Sequence, residues 1–260
     1  MIVHSEVSMP GKLKDALAAC RPVFGGWIQI GHPTVAEIMG KAGFDWIAVD
    51  AEHAAIDLET TAALLRAMAP YAAVPLVRVP HNDLMWIRRV MDAGAGGVIV
   101  PMVNTADDAR RAVEAAKYPP AGVRGFGYCR ANAHGEDFAA YVSRANEETV
   151  VIAQVEHIQS VQNLDAILAT EGIDGVFIGP YDLSGSMGIT GQMDHPRMKE
   201  AQARVLEACR AYRKAAGLHI VRFSPDVLRR SLADGFTFIA LSLDVTLLQC
   251  SCREMLTTAR

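Results

Sequence analysis

Eight short apolar runs punctuate the chain, and helical patterns separate them. The runs are GGWIQI (25–30), WIAVD (46–50), VPLVRV (74–79), GGVIVP (96–101), VVIAQV (150–155), GVFIGP (175–180), LHIVRF (218–223) and FIALSLD (238–244). Each is nearly continuous in apolar character, as strands of a parallel sheet covered on both faces must be. The segments between them carry apolar positions three and four apart. In DLETTAALLRAM this puts Leu58, Ala62, Leu65 and Met68 on one stripe. TADDARRAVEAAK and PRMKEAQARVLEACRAYRKAAG follow the same period. Gly43, Gly94, Gly172, Gly217 and Gly235 stand between helix and strand, where a helix C-terminus calls for positive φ. Eight strand-helix units without a composition break predict a (β/α)8 TIM barrel spanning 1–260 as one domain. A doubly wound open sheet is the alternative, but no strand is followed by a G-x-G-x-x-G turn. The irregular stretch 118–149 follows the fourth strand unit and is expected over the catalytic face.

Composition narrows the partners. The 260 residues are 51% hydrophobic and 21% charged with a net charge of −4, enough for one large core. The acidic balance and the lack of a basic run speak against nucleic acid. No stretch reaches the ~20 apolar residues of a membrane span. The start, MIVHSEVSMPGKLKDAL, lacks the apolar run of a signal peptide. The five cysteines are odd in number and form no CxxC pair, which points to a reducing, cytoplasmic setting rather than a disulfide framework or zinc site.

Barrel chemistry gathers where strands end. The second strand ends in Asp50, followed by Glu52 and His53. The third ends at Arg78. The fifth ends with Gln154 and Glu156, two apart and therefore on one face. The sixth leads to Asp182. Either Glu156 or Asp182 alone reads as a helix cap or solvated loop acid. Together, beside Arg78 and His53, they suit a hard cation, Mg2+ or Mn2+ with Co2+ also possible, completed by water and substrate. Arg78, inside an apolar run, needs an acid or an anionic substrate opposite it. Asp50 is a candidate to hold the His53 imidazole. The glycine-rich GPYDLSGSMGITGQ (179–192) reads as a turn holding Asp182 rather than as a phosphate cradle. None of the six lysines falls on a predicted strand, which speaks against an imine-forming aldolase.

The segments DAEH, LVRVPHND, VPMVNTADDARRAVEAAKYPPAGVRGFG, AQVE and IDGVFIGPYDLSGSMG, in this order, resemble the HpcH/HpaI aldolase family of metal-dependent pyruvate aldolases. The resemblance runs from about Trp27 to Leu248. It implies reversible cleavage of a 4-hydroxy-2-oxo acid to pyruvate and an aldehyde. Glu156 and Asp182 are then the metal ligands, His53 the catalytic histidine and Arg78 the group that stabilises the enolate oxygen. Gln154 and the backbone of Gly179, Pro180, Tyr181 and Asp182 become substrate contacts. Asp92 matches an acid that raises the histidine's basicity, although it ends a helix on the barrel's far rim unless a neighbouring subunit supplies it. The resemblance also implies a homo-oligomer, a hexamer built as a trimer of dimers that exchange the C-terminal helix. Three features depart from the family: Tyr181 where alanine is common, the loop YCRANAHGED (128–137), and the pair His219 and Arg222 in the seventh strand. They bear on the aldehyde more than on the reaction. Rival readings are an oxaloacetate decarboxylase or CoA-ester lyase using the same metal-enolate chemistry, and a noncatalytic barrel used for binding.

Overall fold

The computed structural model describes residues 10–260, so the start of the stretch read for a signal peptide, 1–9, lies outside the described residues. In chain order the elements are α1 (Pro10–Ala18), β1 (Val23–Ile28), α2 (Pro33–Lys41), β2 (Trp46–Asp50), α3 (Leu58–Met68), β3 (Val74–Arg78), α4 (Leu84–Asp92), β4 (Gly97–Val100) and α5 (Ala106–Ala116). Then come α6 (Phe138–Glu148), β5 (Val150–Val155), α7 (Ile158–Gln162), α8 (Leu164–Leu168), β6 (Gly175–Ile178), α9 (Pro180–Ser186) and α10 (Pro196–Tyr212). The chain finishes with β7 (Ala215–Ile220), α11 (Pro225–Asp234), β8 (Phe238–Leu241) and α12 (Asp244–Ala259). All eight strands pair in parallel with their sequence neighbours, and β8 returns to β1, which closes the barrel and excludes the open sheet. Among the described residues no helix is long and apolar enough to cross a membrane.

Strand alternation sorts the core into two shells. On β2, Ile47 and Val49 face the helices, while Trp46, Ala48 and Asp50 face inward. The interior is filled by Trp27, Trp46, Leu76, Ile99, Ile152, Phe177 and Phe238, with α1 laying Leu13, Ala16 and Leu17 across the strand starts. Trp46 stacks on Phe238 at 4.1 Å and Trp27 on Phe177 at 5.6 Å. Truncating any one of these rings to Ala costs about 3–5 kcal/mol. This plug forces the chemistry to the opposite, open end.

Several expectations need correction. Gly217 lies inside β7, not after a helix: β7 starts at Ala215, and Arg213 adopts the left-handed conformation that ends α10. Glycine at 217 serves close packing, since a Cβ there would come within 2.5 Å of Phe177. Strand β1 covers 23–28 rather than 25–30. The buried stripe of α3 is Thr61, Leu64, Leu65 and Met68, rotated from the one expected. The stretch 118–149 follows α5, not β4 directly, so it lies at the strand starts, away from the strand ends. There Arg124 donates from Nη2 to Asp92 Oδ1 (2.7 Å) and sits over the rings of Tyr118 and Tyr141. Arg130 donates to the Ala93 carbonyl at 3.0 Å. The loop 128–137 therefore cannot shape a pocket at the strand ends of its own chain.

Candidate active site

The inward positions at the strand ends form a polar layer above the aromatic interior. Its centre is Asp50, with no exposed surface. Arg78 donates to both carboxylate oxygens, Nε to Oδ1 at 3.0 Å and Nη2 to Oδ2 at 2.6 Å. Register makes this pair, because Asp50 lies opposite Arg78 across β2 and β3. Gln29 Nε2 (2.8 Å) and Trp27 Nε1 (3.2 Å) also donate to Oδ2, and the His53 and Glu52 backbone N–H groups to Oδ1. Burial pushes the Asp50 carboxyl up, but the bonds and charge of Arg78, with Gln29 and the His53 N–H, outweigh it and bring the pKa to about 2. Asp50 thus holds the guanidinium and the His53 backbone rather than the imidazole, which corrects the expectation for that pair. The ring of His53 is 57% exposed, and its Nε2 lies 3.9 Å from Glu52 Oε2.

Arg78 is a structural ion pair and something more. Its guanidinium lies 4.9 Å from the Trp27 ring centre, and Nε stands 3.3 Å from Glu52 Oε2. Among the described residues nothing bonds its Nη1, which leaves that nitrogen's two N–H donors free on a rigidly held, buried cation.

The acids form a second group. Glu156, just past β5, is 4% exposed; its Oε1 accepts from the Met102 N–H at 2.6 Å, and its Oε2 is in contact with Gln154 Nε2. The backbone at Gly179 runs so near that a Cβ there would lie 2.9 Å from Glu156 Cβ. Asp182 is exposed in the first turn of α9, with Gly179, Pro180 and Tyr181 beside it. The charge of Asp182 reaches both Glu52 and Glu156. Burial, first of all, raises the Glu156 carboxyl, and Glu52 and Asp182 add to it against the Met102 and Gln154 bonds. Burial likewise raises Glu52, with Asp50 and Asp182 adding and Arg78 opposing. Two buried oxygens here, Glu52 Oε2 and Gln154 Oε1, make no hydrogen bond. Crowded carboxylates beside the unbonded Gln154 oxygen are a donor set that a hard divalent cation would relieve. Among the described residues no three His, Cys, Asp or Glu side chains form a ready cage.

Asp92 stays apart: it ends α4 and is engaged by Arg124 at the barrel's other end. His157 caps α7 by accepting from the Gln159 N–H. Several contributors escaped the sequence reading. Glu52 stands after the second strand, where the sequence pattern assigns it no role. Gln29 continues the inward phase of Trp27, and that alternation could have found it. Asp244, 6% exposed at the start of α12, accepts from the N–H groups of Gln29 and Ile30 and ties the end of β1 to β8. Nothing in its local sequence announces that contact.

A closed parallel barrel carries acids, a held arginine and an exposed histidine at its strand ends, and the similarities of the chain make it an enzyme of the carbon–carbon lyase class. The chain belongs to the HpcH/HpaI aldolase/citrate lyase family, whose model matches residues 24–250. It is 41% identical over 241 residues to the 4-hydroxy-2-oxo-heptane-1,7-dioate aldolase of Salmonella paratyphi B, covering 92% of this chain and 91% of that relative. A family member of solved structure from Burkholderia cenocepacia superposes with a TM-score of 0.91 at 36% identity, covering 96% of this chain and 99% of that one. An HpcH/HpaI aldolase from Desulfitobacterium hafniense gives 0.87 at 32%, covering 95% and 96%.

Proposed function

We propose that this enzyme is a divalent-metal-dependent pyruvate aldolase that reversibly cleaves a 4-hydroxy-2-oxo acid into pyruvate and an aldehyde. The observation that carries the reading is the pairing of the crowded acids around Glu156 with an Arg78 guanidinium fixed by Asp50 and left with a free Nη1. Glu156 and Asp182 would hold Mg2+, Mn2+ or Co2+, which when bound supplies the Lewis acid that polarises the 2-oxo group. His53, on the loop after β2, takes the proton of the C4 hydroxyl. The C3–C4 bond then breaks, its electron pair remains on the three-carbon half as an enolate, and the aldehyde leaves. Arg78 offers Nη1 to the enolate oxygen, an electrostatic contribution of about 3–4 kcal/mol when such a donor is preorganised. Gln154 and the backbone from Gly179 to Asp182 orient the keto acid. A proton returned to C3 completes pyruvate. Asp92 can join this machinery only if a second copy of the chain presents its own Asp92 at the strand ends.

The test is pyruvate release from 4-hydroxy-2-oxo acids. Activity is expected with Mg2+, Mn2+ or Co2+, to disappear in chelator, and to fall at least a hundredfold in His53→Ala, the usual scale for a lost general base. Full activity in chelator, or an unimpaired His53→Ala enzyme, removes the corresponding part of the reading. Release of CO2 or free CoA without an aldehyde would favour the decarboxylase or CoA-ester lyase.

A homo-oligomer belongs to the same proposal. From Leu247 onward α12 is exposed, and Leu247, Leu248, Met255 and Leu256 form an apolar strip at helical spacing. Such a strip suits exchange of this helix with a second copy. Replacing Leu248 and Leu256 with Asp is expected to shift the assembly to a smaller species in light scattering. An unchanged mass would rule the exchange out.

A further inference from the structure

His219 belongs to none of the groups described so far, yet it stands in the same polar layer. It is the last inward residue of β7, opposite Ala240 of β8. Its ring lies 5.0 Å from Trp27 and 6.3 Å from Phe177, half-buried over the aromatic interior. Its Nε2 is 3.0 Å from the carbonyl of Ser242. A carbonyl can only accept, so Nε2 carries the hydrogen. Burial drives the imidazole pKa down to about 4, with the Ser242 carbonyl opposing and Arg78 assisting, so the ring is neutral. Nδ1 is therefore a bare lone pair, and among the described residues nothing bonds it.

The partner of Nε2 is held under strain. Ser242 has φ +62°, in the left-handed region that non-glycine residues rarely enter. Its N–H donates to Ile220 O and its Oγ to Val221 O, both at 2.9 Å, which clamps the ends of β7 and β8 together. This clamp aims the Ser242 carbonyl at the ring and fixes one tautomer.

Position assigns the free acceptor. The groups proposed to take the keto acid stand at the ends of β3 and β5 and in α9 after β6, as Arg78, Glu156 and Asp182. His53 follows β2. The sector left for the departing half is bounded by β7, β8 and β1, where the His219 ring covers the buried Trp27 of β1 and Phe177 of β6 and supplies the polar edge. A lone pair there attracts an O–H donor and repels a carboxylate or carbonyl oxygen. We infer that His219 is a specificity-determining residue whose Nδ1 accepts a hydrogen bond from a hydroxyl on the aldehyde half, so that hydroxyaldehydes are preferred over their deoxygenated counterparts. This rests on the pyruvate-aldolase reading and extends it to the second substrate.

The experiment compares glycolaldehyde with acetaldehyde in condensation with pyruvate. The ratio of their kcat/KM values cancels intrinsic reactivity when the wild type is set against variants. His219→Gln keeps a donor for Ser242 O but places no acceptor at the Nδ1 position, and it is expected to lower the glycolaldehyde-to-acetaldehyde ratio about tenfold. His219→Asn places an amide oxygen near Nδ1 and should recover much of the ratio. A purely structural role predicts the reverse, with Gln rescuing, or equal losses on both aldehydes, and either result overturns the proposal. Where the variants fail to fold, 15N NMR of the wild-type His219 ring decides. With pyruvate bound, Nδ1 is expected to shift on adding glycolaldehyde and not acetaldehyde, and identical responses would refute the inference. Exchange of pyruvate methyl protons in D2O with Mg2+ separates the two levels. If exchange is absent, the aldolase reading and this proposal fall together. If exchange occurs and the ratio in His219→Gln stays at the wild-type value, the His219 proposal alone fails.

Discussion

Glu156→Gln is expected to cut kcat/KM for pyruvate release by about a thousandfold, a loss of about 4 kcal/mol of transition-state stabilisation. The change removes one negative charge from the acids and little else. The Met102 N–H, now 2.6 Å from Glu156 Oε1, keeps a carbonyl oxygen to donate to. Gln154 can turn its orphaned Oε1 toward the new amide, so the fold should persist. Coupled detection of pyruvate gives the rate, and calorimetric titration with Mn2+ gives the affinity, expected to weaken in parallel. A variant within tenfold of wild type at saturating Mn2+ would show that Glu156 does not carry the cation's contribution.

The second large effect falls on stability. Asp50→Ala takes the bidentate carboxylate from the buried Arg78 guanidinium, leaving it only Glu52 Oε2 at 3.3 Å, and it removes the acceptor for Gln29 and Trp27. Breaking such a pair from one side costs about 3–5 kcal/mol. For a chain of this size the midpoint of thermal unfolding should fall by roughly 10 °C. Removing both charges, as Asp50→Leu with Arg78→Met, should recover a large part of that loss. A single variant within 1 °C of wild type would mean that the pair is not buried in solution. Acidity provides a second measurement. The Asp50 pKa lies below its unfolded value, 3.8 falling to about 2, so its contribution is fully present above pH 3.8. It is lost as the pH drops through 2, because the unfolded chain takes up the proton first. Acid denaturation of Asp50→Ala should lack that increment between pH 4 and 2.

The two substitutions probe features that differ in how well the sequence exposes them. Continuous apolar runs and helical periods betray the eight strands, and strand ends point to Asp50, Arg78, Gln154, Glu156 and Asp182 without any knowledge of contacts. Alternation also puts Gln154 and Glu156 on one face. What alternation cannot give is the neighbour across a closed ring. That Gln29 and Trp27 donate to Asp50, or that Asp244 secures the end of β1, depends on register and on closure between β8 and β1. Periodicity likewise missed the side on which 118–149 lies, because that depends on counting a full helix, α5, between strand and loop. Gly217 misled for a related reason. A glycine before an apolar run looks like a helix end, whereas here the facing rings of Phe177 and Phe238 require it within the strand.

The aromatic stack and α1 make the barrel a cul-de-sac. Reactants and products share one doorway, and nothing can thread through to the far side. In the proposed reading the reacting end of an aldehyde would lie against the buried layer around Asp50, whereas a long tail would extend to the side where the exposed Tyr181 and Phe223 follow β6 and β7. Within one chain, discrimination should therefore be sharp for groups next to the carbonyl and lax for overall length.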